Sequence, residues 1–462
     1  MFKLSEISSK ELLTLIYSKN RTIIDIRTVN SYNGWMELGE PREGHIRRAV
    51  SIPFQWIFHP LWDTVLQRKN LRKNHTVVIY GINRKEIDVT AEKLHKTGFT
   101  DVRVYYHFID EWCRNDVYPM EYLYRYKQLV SADWLKELME KGKTDGSNNE
   151  NYIICHCHYQ NRESYLKRHI PGAIELNTDW LESPATWNRR SPLELKAALE
   201  SMGIGRNSTV ILYGEDSSRK HNNKYDEKNF GQLASFRCAL ILLYSGVKDV
   251  KILNGGFNSW MESGFTVSTG KSIPSPIDNF GVSVPFNPQL FIDQSDAKEY
   301  LSHREKSLIS IRSWPEYIGE KSGYSYISRK GRIPGALFSN CGSDSYHMEN
   351  YRNIDQTCRE YGAVKKMWCQ SGILRRGTKA FYCGTGWKAS EAWFNAYLMG
   401  WEEISVYDGG WFEWSNNVEN PIERGIPSDS HRNNAFYDFD FMSTGRLLKP
   451  ISNVKAIPNH PV

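Results

Sequence analysis

Cys383 begins the segment Cys383-Gly-Thr-Gly-Trp-Lys388, which is followed by Ala-Ser-Glu-Ala-Trp393. A cysteine at the start of a glycine-rich turn that feeds a helix is set up for nucleophilic chemistry. Backbone N–H groups at a helix N-terminus converge on the sulfur, and together with Lys388 they favour thiolate over thiol and can also hold a second, anionic sulfur. The two glycines let the turn curl without Cβ clashes. Ala389, Ala392, Trp393 and Ala396 fall on one face, so the helix behind the loop is expected to pack firmly on its sheet.

The same loop position recurs twice without the thiol, as Tyr80-Gly81-Ile-Asn-Arg-Lys85 and Tyr213-Gly214-Glu-Asp-Ser-Ser218. This follows from an internal triplication. Gly98, Gly246 and Gly400 each open a short alternating apolar strand, and each lies fourteen residues before a tryptophan, Trp112, Trp260 or Trp414. In the last two copies the strand runs into Asn254-Gly-Gly-Phe257 or Asp408-Gly-Gly-Trp411. Earlier in each unit stand Gly44-His-Ile-Arg-Arg-Ala49, Arg168-His-Ile-Pro-Gly-Ala173 and Gly331-Arg-Ile-Pro-Gly-Ala336. Apolar strands precede them at Thr22–Arg27, Tyr152–Cys157 and Ser307–Arg312. Short apolar strands alternating with amphipathic helices predict an α/β fold, with one mostly parallel sheet per unit and function at the carboxyl ends of its strands.

The units are expected at 1–125, 126–270 and 290–430. Ser131 caps a helix in the second, a proline-bearing linker spans 271–289, and a tail spans 431–462. A length of 462 residues suits about three domains. The net charge of +6 (59 − 53) is too dilute over this length to imply nucleic-acid binding, and eight cysteines are too sparse for a disulfide scaffold. No apolar run is long enough to span a membrane, and Met1-Phe-Lys-Leu-Ser-Glu6 lacks a secretory signal's apolar core. A cytoplasmic monomer is expected, or a periplasmic one if a signal has been removed.

These marks together resemble multi-domain rhodaneses over about residues 1–425. They are the strands carrying Asp25-x-Arg27 or Ser310-x-Arg312, the His/Arg-Ile-Pro-Gly-Ala element, the cysteine loop and the Gly-Gly close. Three-domain bacterial sulfurtransferases with the loop C-G-T-G-W-R are the most similar. The resemblance implies three tandem rhodanese-like domains, the first two inactive, each with helices on both faces of its sheet. It implies thiosulfate sulfurtransferase activity by a ping-pong scheme through a Cys383 persulfide, with cyanide, a small thiol or a protein thiol as acceptor and no cofactor. Gly384, Thr385, Gly386, Trp387 and Lys388 would form the anion-holding loop. Arg312 joins them as a candidate substrate-binding residue, although a strut between strand and loop is its commoner role.

The chain departs from that pattern in places. Lys388 stands for the loop arginine and loses its bidentate geometry. Ser310 stands where such units often carry Asp, Cys155 and Cys157 are read as replacing both polar members in unit two, and Glu316 stands where two-domain enzymes carry a substrate arginine, which argues against mercaptopyruvate. Arg332 replaces His45 and His169, bordering the pocket or lying on the surface. Cys155-His-Cys-His158 invites a metal reading, but strand alternation sends both cysteines to one face and both histidines to the other, so no metal is assigned. Cys113, Cys238, Cys341, Cys358 and Cys369 receive no role. A phosphatase or arsenate-reductase loop would place Arg six residues after the cysteine, where this chain has Ala389. The other reading is a sulfur-relay or partner-docking scaffold fed by a protein persulfide.

Overall fold

Alternating and continuous apolar runs such as Thr76–Tyr80, Thr209–Gly214 and Thr378–Tyr382 can bury both faces only between layers of helices, and they become the centres of three sheets. A computed structural model describes residues 4–143, 151–215 and 231–427. The expected tail and the end of the unit-two loop, from Asp216 onward, lie outside the described residues. Each unit forms a five-stranded sheet with its own strands in the order 1-5-4-2-3. All strand pairs within these sheets are parallel, for example Arg21–Asp25 on Thr76–Tyr80 and Lys306–Arg312 on Thr378–Tyr382. The fold class is therefore the one expected.

The repeated sequence marks repeat as contacts. The hydroxyls of Tyr80, Tyr213 and Tyr382 accept hydrogen bonds from the backbone N–H of Ile46, Ile170 and Ile333 at 3.0, 2.9 and 3.3 Å. Tyr32, Tyr165 and Tyr317 donate to the carbonyls of Ala49, Ala173 and Ala336. His45 stacks on Tyr32 and His169 on Tyr165, while the Arg332 guanidinium lies over Tyr317 at 4.6 Å. Arg332 is buried, donates to Glu423 and the Gly425 carbonyl, and so repeats the histidine's structural role instead of lying on the surface. Trp112, Trp260 and Trp414 are all fully buried.

One expectation shifts by a residue. Register pairs Tyr80 with Asp25 and Tyr382 with Ser310, but Tyr213 with His156. His156 and His158, not Cys155 and Cys157, therefore occupy the Asp25/Arg27 positions in unit two. The cysteines point into the opposite layer, in the core that includes Cys238, as alternation requires.

Ser131 caps the helix Ala132–Lys141, accepting from the Trp134 N–H. The segment 271–287 is not a free linker. Phe280 is buried, its N–H donates to Glu200, and the N–H groups of Phe286 and Asn287 reach the Tyr244 carbonyl, so the segment straps onto unit two. Units two and three share one hydrophobic core. Across it the helix Gly231–Ser245 packs on Trp387–Leu398, with Phe236 edge-on to Phe394. Unit one buttresses unit three through the buried Lys69–Glu360 pair at 2.6 Å.

Candidate active site

The strand Thr378–Tyr382 ends inside the protein, and the next residue, Cys383, is 1% exposed. The helix Trp387–Leu398 starts four residues later, with Gly386 as its N-cap. Its first N–H groups have no partner within the helix. The carbonyls of Cys383 and Gly384 accept hydrogen bonds from the N–H groups of Trp411 and Phe412, at 2.8 and 2.9 Å. In a trans peptide N–H and C=O point oppositely, so the N–H groups of Gly384 and Thr385 face away from Trp411 and Phe412. The close approach needs Gly410: its φ is +53°, and a Cβ there would meet both carbonyl oxygens at 2.8 Å. Gly384 is equally constrained, because the Tyr324 ring lies 2.5 Å from where its Cβ would be.

Lys388, the second residue of the helix, is buried. Its ammonium donates to the Cys341 sulfur at 3.3 Å and lies 3.7 Å from Glu316. Burial lowers the lysine's pKa, but Cys341, Glu316 and Cys383 outweigh it and hold the group above its ordinary value. Burial pushes the Cys341 thiol up to about 12, against Lys388. Burial also raises Glu316, but Lys388, Arg312 and the Ser313 hydrogen bonds prevail and keep it ionised below the usual range. The Lys388 ammonium thus stands between the Cys341 thiol and the Glu316 carboxylate in a buried site.

Arg312 is fully buried and donates to Glu316, the Gly331 carbonyl and the Ser322 carbonyl. All three of its nitrogens are engaged by protein, so in this structure it ties strand to loop. Thr385 is 8% exposed, and the Trp387 indole N–H donates to Glu182 of unit two at 3.0 Å. A cleft of about 560 Å³ opens beside the loop, lined by residues that include Glu316, Glu320, Lys321, Tyr324, Asp344 and Tyr346. Tyr324 belongs to a run of rings: it stacks on Tyr326, meets Tyr346 edge-on, and Tyr326 stacks on Trp187 of unit two.

Sequence reasoning missed Cys341, Tyr324, Glu182 and Trp187. Cys341 received no role because its pairing with Lys388 spans 47 residues. The equivalent positions in the other units leave no space for a thiol. A Cβ on Gly81 would meet the Ile26 side chain at 2.6 Å, and one on Gly214 would collide with the Gly231 backbone.

Three copies of one sheet, one of them carrying a cysteine loop on a buried helix, define the class. The chain belongs to the rhodanese family: the Rhodanese-like domain model matches residues 8–115, 131–263 and 293–417. Thiosulfate sulfurtransferase YnjE of Escherichia coli K12 is 36% identical over 425 residues, covering 91% of this chain and 93% of that protein. Sulfur carrier protein TtuD of Thermus thermophilus is 28% identical over 306 residues, 64% of this chain and 96% of that one. Among solved structures, wild-type EanB superposes with a TM-score of 0.89 at 46% identity, covering 92% of this chain and 99% of that one. EanB with a cysteine replaced by serine, in complex with hercynine, gives 0.90 at the same identity. Among the described residues no helix is long and apolar enough to cross a membrane.

Proposed function

We propose that the protein transfers sulfane sulfur through a persulfide on Cys383, with thiosulfate or a related sulfane compound as donor. The observation that carries this reading is the Cys383 loop itself. Its carbonyls are held by Trp411 and Phe412, its N–H groups face the other way, and Lys388 is buried in the first turn of the helix that follows it. The thiolate attacks the outer sulfur of thiosulfate, an S–S bond forms on Cys383, and the S–S bond of thiosulfate breaks with its electron pair leaving on sulfite. The loop N–H groups hold the charge of the bound persulfide, which cyanide or a thiol then removes.

A second acceptor reading rests on the Tyr324–Tyr326–Tyr346 rings beside Gly384, together with the likeness to EanB, whose structures include complexes with hercynine and ergothioneine and a cysteine-persulfide state. Aromatic faces suit a quaternary ammonium, and an imidazole carbon could take the sulfur as a thione, returning its proton to the Cys383 thiolate.

The test offers protein preloaded with thiosulfate or polysulfide to cyanide, to glutathione and to hercynine, and measures thiocyanate, glutathione persulfide and ergothioneine. Turnover of any acceptor that disappears in Cys383→Ser supports the persulfide, and ergothioneine formation selects the second reading. Absence of loading by either donor sinks the proposal.

A further inference from the structure

We infer that unit two is a positioning element for the reacting loop of unit three, acting through Glu182 and Arg237. This rests on the reading of Cys383 as the reacting thiol. Arg237 lies in the middle of the unit-two helix Gly231–Ser245 and is fully buried. Its Nε donates to Glu182 at 2.5 Å, and its Nη2 donates to Asp408 of unit three at 2.5 Å and to the Trp187 carbonyl at 3.0 Å. The third nitrogen, Nη1, has no hydrogen-bond partner among the described residues and lies 3.1 Å from where a Cβ on Gly386 would be.

Three handles on the loop therefore pass through one guanidinium. Glu182, bound to Arg237, accepts the indole N–H of Trp387, the first residue of the loop's helix. Asp408, which also accepts from the Arg189 N–H and guanidinium of unit two, opens the turn into the helix Gly410–Asn416, whose Trp411 and Phe412 N–H groups hold the Cys383 and Gly384 carbonyls. The guanidinium face itself backs Gly386. None of these unit-two groups touches the reacting sulfur. Their effect on the chemistry is to fix where the loop N–H groups point, and misplaced donors cost rate more than binding.

Arg237→Met leaves the buried Glu182 without its guanidinium and takes one of two from Asp408, and is expected to unfold the shared core, so the test uses lighter changes in the full chain. The variants are Glu182→Ala, Glu182→Gln, Trp387→Phe and the double Glu182→Ala/Trp387→Phe. Single-turnover loading by thiosulfate is followed by intact mass over a range of donor concentrations. Iodoacetamide alkylation of Cys383 is followed by peptide mass and needs no sulfur donor, so it separates failure of this inference from failure of the persulfide reading.

Glu182→Ala and Trp387→Phe are each expected to slow maximal loading about tenfold with little change in half-saturating thiosulfate, and the double variant is expected to be no slower than either. Glu182→Gln, which keeps an acceptor for the indole, is expected to recover most of the rate, and alkylation is expected to follow the same order. Wild-type rates in the single variants, losses that multiply in the double, or no rescue by Glu182→Gln would overturn the inference.

Discussion

Units two and three present the same strand, turn and helix to each other across one core, and only unit three carries a thiol at the turn. Gly214 and Cys383 both follow a buried tyrosine that holds the N–H of the Ile-Pro-Gly-Ala element. Gly256 of unit two, at φ +62°, crowds the Gly214 carbonyl as Gly410 crowds those of Cys383 and Gly384. The scaffold that shapes such a loop is thus retained where no chemistry is possible. In unit two the helix after the turn has instead become wall and clamp, fully buried against its partner and charged by Arg237 at the point where the partner's loop bends. A repeated fold supplies the backbone geometry, while a single residue and the space left around it decide which copy reacts.

The largest effect that sharpens this comparison is Cys383→Ser, for which persulfide formation should vanish from the whole chain, because neither other unit holds a thiol at its turn. The reciprocal change, Gly214→Cys, should give no sulfur loading at that position and should lower the melting temperature sharply, since its side chain would enter the Gly231 backbone. Loading at residue 214 in a Cys383→Ser background would break the comparison.

Gly410→Ala and Gly256→Ala are a matched pair. Each forces a Cβ into left-handed backbone against a carbonyl oxygen, at a cost of about 1–3 kcal/mol by thermal denaturation. Only Gly410→Ala should also slow Cys383 loading, by about a hundredfold, because only there does the displaced carbonyl belong to a reacting loop. Equal losses of activity in both would mean that the loop geometry is not what matters. A step smaller, Lys388→Met should slow loading about tenfold to a hundredfold, since it leaves Glu316 beside the thiols without its nearest ammonium. Lys388→Arg should retain far more activity.

The smallest expected effect is on acid stability. Burial lowers the His45 pKa from 6.5 to about 4 in unit one and that of His156 to about 3 in unit two. A histidine held neutral in the fold takes up its proton in the unfolded chain first, so the stability it contributes is present above pH 6.5 and is lost as pH falls toward the folded value. In unit three Arg332 takes the place of His45 and His169, and His347 shifts the other way, raised by Asp344. Between pH 6.5 and 4, hydrogen exchange should therefore rise in units one and two before the strands of unit three. Simultaneous loss in all three units would contradict this.

The triplication, the parallel sheets and the Cys383 loop were legible because each rests on local spacing: a strand, a turn and a helix within about fifteen residues. The register of Tyr152–His158 was not. Cys155 and His156 alternate on a strand whose apolar run has no edge, and only the pairing of His156 with Tyr213 fixes which residue takes the Asp25 position. Arg332 looked like a surface or pocket residue because an arginine in a histidine's place carries no sign of the Tyr317 ring beneath it. The clamp was invisible for a simpler reason. Glu182, Arg237 and Asp408 are separated by 55 and 171 residues, and nothing in their neighbours announces that they meet.

Intact mass of the wild-type protein and Cys383→Ser, each with and without thiosulfate and then with cyanide, decides whether Cys383 carries the sulfur. One added sulfur atom is expected on the wild type alone, discharged as thiocyanate. A sulfur atom gained equally by Cys383→Ser would move the reaction to another cysteine and contradict a persulfide on Cys383.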